Sequence, residues 1–158
     1  MLSFADIIKW GLATKKYVQD LIAALDTKDE VLLGTLTTTS GTIHTLSGLN
    51  LTPYKRVRVE YIAVSHSGAS SSQFWVNEKQ ATAQTVSNTQ SLGGESVFTR
   101  ATKYGISYLS NMSGAGNAFS TIGYAPHDVV NTTTTSLAFR WASGYSFDGG
   151  TIKVYGIK

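Results

Sequence analysis

Apolar residues recur along this chain with two different periods. From Ser3 to Leu25 they fall at helical spacing, and from Val31 to the C-terminus they fall mostly at every second residue. In the first stretch Ser3 and Asp6 fit a capping-box-like start, with Phe4, Ile7 and Ile8 on one face. Gly11 is a break or kink, and Thr14 caps a second piece. There Val18, Leu21, Ile22 and Leu25 sit at i, i+3, i+4 and i+7, with Lys15, Lys16, Gln19 and Asp20 on the other side. "DTKDE" (26–30) ends the pattern. A helix this short is marginal alone. Its stripe needs a partner: the β domain of the same chain, or copies of itself, since Val18, Leu21 and Leu25 have coiled-coil spacing.

The period-two part predicts eight or nine short strands. "VLLGTLTTTSGTIHTL" offers two around a Ser40-Gly41 turn. "KRVRVEYIAV" is the clearest, with Val57, Val59, Tyr61 and Ala63 on one face and Arg56, Arg58 and Glu60 on the other. "SQFWVN" sets Phe74 and Val76 opposite Trp75, and "SLAFRWAS" sets Leu137, Phe139 and Trp141 opposite Arg140. "SVFTRATKYGISYLS", "AFSTIGYA" and "GTIKVYGIK" supply the rest, and "SHSGASSS", "SLGGES", "NMSGAGN" and "SGYSFDGG" read as turns. Such a series argues a mainly β fold, an antiparallel β-sandwich of jelly-roll type preceded by a short N-terminal α-helical segment. The expected division is residues 1–30 as a helical oligomerisation or attachment segment and residues 31–158 as the sandwich.

Composition narrows the chemistry. At 158 residues and 42% hydrophobic, the chain suits one domain with a real core. It has no cysteine, which removes disulfides, thiol nucleophiles and thiolate metal sites. The net charge of +3 is too dilute for a nucleic-acid footprint, and "KRVR" (55–58) reads as a solvated strand face. No stretch is long and apolar enough to span a membrane, and no signal-peptide pattern opens the chain. His44, His66 and His127 stand far apart with no metal-binding spacing, so neither metal nor cofactor is expected. No G-x-S-x-G elbow occurs. Outside the first 30 residues the acids are Glu60, Glu78, Glu95, Asp128 and Asp148, a thin supply for the carboxylate pair of a glycosidase. A non-enzymatic role is the expectation. Aromatic side chains offer one, because their faces stack on sugar rings. Trp75, Tyr124 and Tyr145 are the binding candidates, with core or interface packing as the competing use.

Two short motifs add a resemblance. "LATKKYVQDLI" resembles the A-T-K-x-Y-V pattern of bacteriophage tail fibre and tail spike chains. There it lies in a helix before a β domain, within a parallel three-chain bundle. "SFDGGTIKVYGIK" is similar to the F-x-x-G-T-I-x-x-Y-G-I ending of many phage structural and fibre domains, where it forms the last strand of a β-sandwich. The resemblance implies a virion protein: a homotrimer joined through Val18, Leu21, Ile22 and Leu25. Its sandwich would bind host cell-surface polysaccharide or protein, and its N-terminal segment would contact other virion proteins. With only residues 1–30 ahead of the β domain, the expectation is a short fibre, a tip protein, a head-fibre-like decoration or a piece of something longer. Other readings are a virion decoration or assembly protein without receptor binding, a small polysaccharide depolymerase, and a monomeric carbohydrate-binding module unrelated to phage.

Overall fold

Alternating residues in the second part of the chain have one apolar side to hide, and the molecule hides it between two antiparallel sheets. The computed structural model describes residues 30–81, 85–100, 105–113, 119–125 and 129–158, with 105–113 and 119–125 as backbone. Within these residues lie β1 (Glu30–Thr37), β2 (Ile43–Ser47), β3 (Arg56–His66), β4 (Phe74–Val76), β5 (Lys79–Gln80), β6 (Gln90–Thr99), β7 (Gly105–Ser113), β8 (Phe119–Ala125), β9 (Ser136–Trp141) and β10 (Phe147–Ile157). The expected helix over residues 3–25, including Val18, Leu21, Ile22 and Leu25, lies outside the described residues.

The larger sheet runs β1-β10-β3-β6-β7-β8 and the smaller β2-β9-β4-β5. Pairing is nested: β1 with β10, β2 with β9, β3 with β6, and β4 with β5. The β7–β8 hairpin extends the larger sheet beyond β6. The two strands of "VLLGTLTTTSGTIHTL" therefore exist but do not pair with each other. The Ser40-Gly41 turn carries the chain from one sheet to the other.

Core residues come from the inward positions of both sheets. Val57, Val59 and Tyr61 of β3 and Ile152 and Val154 of β10 face Phe74 and Val76 of β4 and Leu137, Phe139 and Trp141 of β9, all buried. Rings lock the layers together. Phe74 stands edge-on to Tyr61 at 5.4 Å and to Trp141 at 5.0 Å, in the geometry favoured by ring quadrupoles. Burial raises the Tyr61 hydroxyl pKa above its ordinary value.

Three expectations fail, each for a reason in the backbone. "SLGGES" is not a turn; it is the interior of β6, pairing with β3 on one side and β7 on the other. "FDGG" is likewise the start of β10. There the register shifts between Phe147 and Gly149 and again between Gly149 and Thr151, so the glycines mark a bulge. Ala63 does not continue the inward face of β3. Its φ is +51°, it is exposed, and Val64 takes the buried place after an irregularity between Tyr61 and Val64. An alanine in the left-handed region is strained. Ala63→Gly is therefore expected to stabilise the protein by roughly 0.5–1 kcal/mol, the relief of strain less glycine's greater freedom when unfolded. A rise in the urea midpoint at unchanged slope would register it.

Candidate functional site

Three aromatics stand out in the sequence, and the fold sends them to three places. Trp75 is on the outward face of the smaller sheet, Tyr145 is in the loop between β9 and β10, and Tyr124 is in β8, opposite Ile106. The Tyr124 side chain lies outside the described residues. Among the described residues no strand carries both Trp75 and Tyr145.

Tyr145 is half-buried and serves its own loop first. Its ring lies directly on Gly68, where an added Cβ would come within 2.0 Å of the ring, so only glycine fits beneath it. The hydroxyl meets the Ser70 hydroxyl at 2.6 Å, which ties the β9–β10 loop to the β3–β4 loop. His66 lies alongside at 5.2 Å and is wholly buried, edge-on to Trp141. The Gly68 N–H donates to its Nδ1 at 3.2 Å, so its Nε2 carries the proton and donates to the Val86 carbonyl at 2.9 Å. His66 thus holds the loop end together from beneath, an ordinary structural use of a histidine, as is the bond of His44 Nε2 to the Ser40 carbonyl.

Trp75 has a different neighbourhood. The β4–β9 register sets it opposite Arg140, whose guanidinium lies over the indole at 4.5 Å from the ring centroid. The expected open indole face is covered by a planar cation, and Trp75 is half-buried rather than exposed. Its indole N–H is shut off from solvent and has no hydrogen-bond partner among the described residues. Arg140 Nε donates to both Glu78 oxygens at 3.0 Å, and Nη2 donates to Oε2. These bonds hold the Glu78 carboxyl below its ordinary pKa. Glu78 reaches Arg140 from the two-residue turn between β4 and β5. Asn77 (φ +47°) and Glu78 (φ +60°) both have positive φ, as a type I′ turn requires. Asparagine suits the first place; glycine is the usual second, so Glu78 holds its place against backbone preference.

The row continues to both sides. Ile43 of β2 pairs with Arg140, and Gln80 of β5 pairs with Trp75. Ile43 is 56% exposed, the most open of the large apolar side chains among the described residues. Ile43, Arg140, Trp75 and Gln80 thus line up across all four strands of the smaller sheet. Sequence reading missed Arg140 and Glu78 as members. It placed Arg140 on an outward face, but nothing local brings residue 140 beside residue 75.

Charged groups on the outward face of the larger sheet mostly satisfy one another. Arg58 donates from Nε and Nη2 to Glu30 and from Nη1 to Glu95, tying β1 to β3 and β6, and the bonds to Glu30 raise its pKa. Its guanidinium lies over Tyr155 at 4.2 Å, and the Tyr155 hydroxyl donates to Glu60 at 2.9 Å. Burial, then that bond, raises the Tyr155 pKa. At the far end Arg100 donates to the carbonyls of Leu51, Tyr54 and Asn131, clamping two loops. Asp148 accepts from the Ser65 hydroxyl.

Among the described residues no three His, Asp or Glu side chains are grouped to hold a metal ion, and no helix is long and apolar enough to cross a membrane. Set against protein-family models and curated proteins, the chain matches none.

Proposed function

We propose that the chain is a non-enzymatic virion protein of the fibre or receptor-binding kind, a homotrimer whose jelly-roll domain contacts polysaccharide or protein on a host cell surface. The observation that carries the reading is the place of its closing motif. "FDGGTIKVYGI" is the last strand and an inner one of the larger sheet, between β1 and β3. The letters of that motif have structural roles: Phe147, Ile152 and Val154 fill the core and the glycines form the bulge. That is the role the resembling fibre motif implies. The nested pairing supports the finer fold. With the β7–β8 hairpin set aside, pairs 1·10, 2·9, 3·6 and 4·5 are those of one long hairpin rolled into two four-stranded sheets, the jelly-roll plan. Residues 3–25 complete the proposal as the helical segment that gathers three chains, with Val18, Leu21, Ile22 and Leu25 in its seam. Three copies then convert a weak surface contact into a firm one by avidity.

A labelled full chain is expected to bind a subset of bacterial cells or their purified surface polysaccharides. Variants of Trp75 should lower that binding, and no new reducing ends should appear on incubation. Binding to virion proteins but to no cell would favour the decoration reading, and new reducing ends would favour a depolymerase.

A further inference from the structure

We infer that the outward face of the smaller sheet binds a carboxylate-bearing polysaccharide, with Arg140 taking a uronic-acid carboxylate in the place that Glu78 now holds. The inference rests on the host-recognition reading and names the ligand class for it. The row Ile43, Arg140, Trp75, Gln80 is set by consecutive register pairs across four strands. Neighbouring strands lie about 4.8 Å apart, so the row spans about 14 Å, the reach of a short run of sugar rings. At its centre the indole face, which would stack on a neutral sugar, is covered by the Arg140 guanidinium at 4.5 Å. What this surface offers is therefore a flat cation, held in plane by the indole beneath it. Such a fork matches a carboxylate through two parallel N–H donors. The bidentate bond to Glu78 shows that the fork already accepts a carboxylate in that geometry. Glu78 is a replaceable occupant. Its side chain is 67% exposed, and an ion pair open to water is weak. It also sits at φ +60°, on a turn that would prefer glycine. Beside the cation, exposed Ile43 gives the C–H face of a sugar ring an apolar surface.

Calorimetric titration of the full chain with trigalacturonate, and with maltotriose as its neutral counterpart, tests this. Wild type is expected to bind the acidic trimer and to ignore the neutral one. Glu78→Gln removes the competing carboxylate and should tighten binding roughly fivefold. Arg140→Gln should weaken it by about tenfold or more. Glu60→Gln removes an equal charge on the other sheet and should change little. A gain of affinity cannot come from misfolding, so Glu78→Gln stays decisive if Arg140→Gln proves unstable. No uptake of trigalacturonate by Glu78→Gln at millimolar concentration, equal binding of both trimers, or equal gains from Glu78→Gln and Glu60→Gln would each overturn the inference. Binding to cells that survives Arg140→Gln would overturn it and leave host recognition standing. Trigalacturonate bound as expected, with no cell bound, would sink host recognition alone.

Discussion

Gly150→Ala is expected to destabilise the protein by about 4 kcal/mol, lowering the melting temperature by on the order of 10 °C for a chain of this size. Two costs add. Gly150 has φ +103°, a region that L side chains rarely adopt. Its missing side chain also leaves room for another strand. A Cβ there would lie 2.5 Å from the Ala63 carbonyl oxygen and 2.5–2.6 Å from the backbone of Val64. Those atoms belong to β3, which pairs with β10 and with β6 and cannot move alone. Gly149→Ala is the control. Its Cβ would meet the Ser65 hydroxyl at 2.9 Å, a side chain able to turn away, so a cost of about 1 kcal/mol is expected. Denaturant unfolding of both variants measures the difference, and equal losses would remove the backbone clash as its cause.

Asn77→Ala is expected to cost about 3 kcal/mol. Asn77 acts as a splice between the β4–β5 turn and β9. Its N–H donates to the Ala138 carbonyl at 2.8 Å, and its Oδ1 accepts from the Ala138 N–H at 2.8 Å. Its Nδ2 donates to the carbonyls of Val129 at 2.8 Å and Ser136 at 3.3 Å. Alanine removes the side-chain bonds, leaves partly buried backbone groups without partners, and must still adopt φ +47°. Asn77→Gly loses the same bonds without the strain, so about 2 kcal/mol is expected for it. The gap between the two variants isolates the backbone contribution. A loss under about 1 kcal/mol for Asn77→Ala would mean that water replaces the splice fully.

Both residues show what local pattern can and cannot carry. The inward faces of β3, β4 and β9 were legible, because Val57, Val59, Tyr61, Phe74, Val76, Leu137, Phe139 and Trp141 alternate strictly and all are buried. Alternation stops being a guide where a strand bulges. Ala63 sits where the β3 backbone turns left-handed, and the period then slips so that Val64 points inward. Glycine pairs mislead for a related reason. Gly93-Gly94 and Gly149-Gly150 suggest turns in isolation, yet they lie within long strands at irregular pairings, where backbone freedom is needed without a reversal of the chain. The site was less legible than the core. Alternation places Trp75 on the outward face, as the fold does, but its meaning changes with Arg140 above it and Glu78 beyond. Arg140 comes from a strand pairing over more than sixty residues of sequence, and no periodicity encodes that. Tyr145 appears as a loop aromatic in the sequence; only the packing shows its ring spent on Gly68 and its hydroxyl on Ser70.

The proposal of a three-chain host-binding protein turns first on how many chains assemble. Light scattering of the full chain in solution measures this directly. The expected mass is three times the 17.0 kDa of one chain. A mass of one chain, unchanged over a wide range of concentration, would contradict the fibre reading and leave a monovalent binding domain in its place.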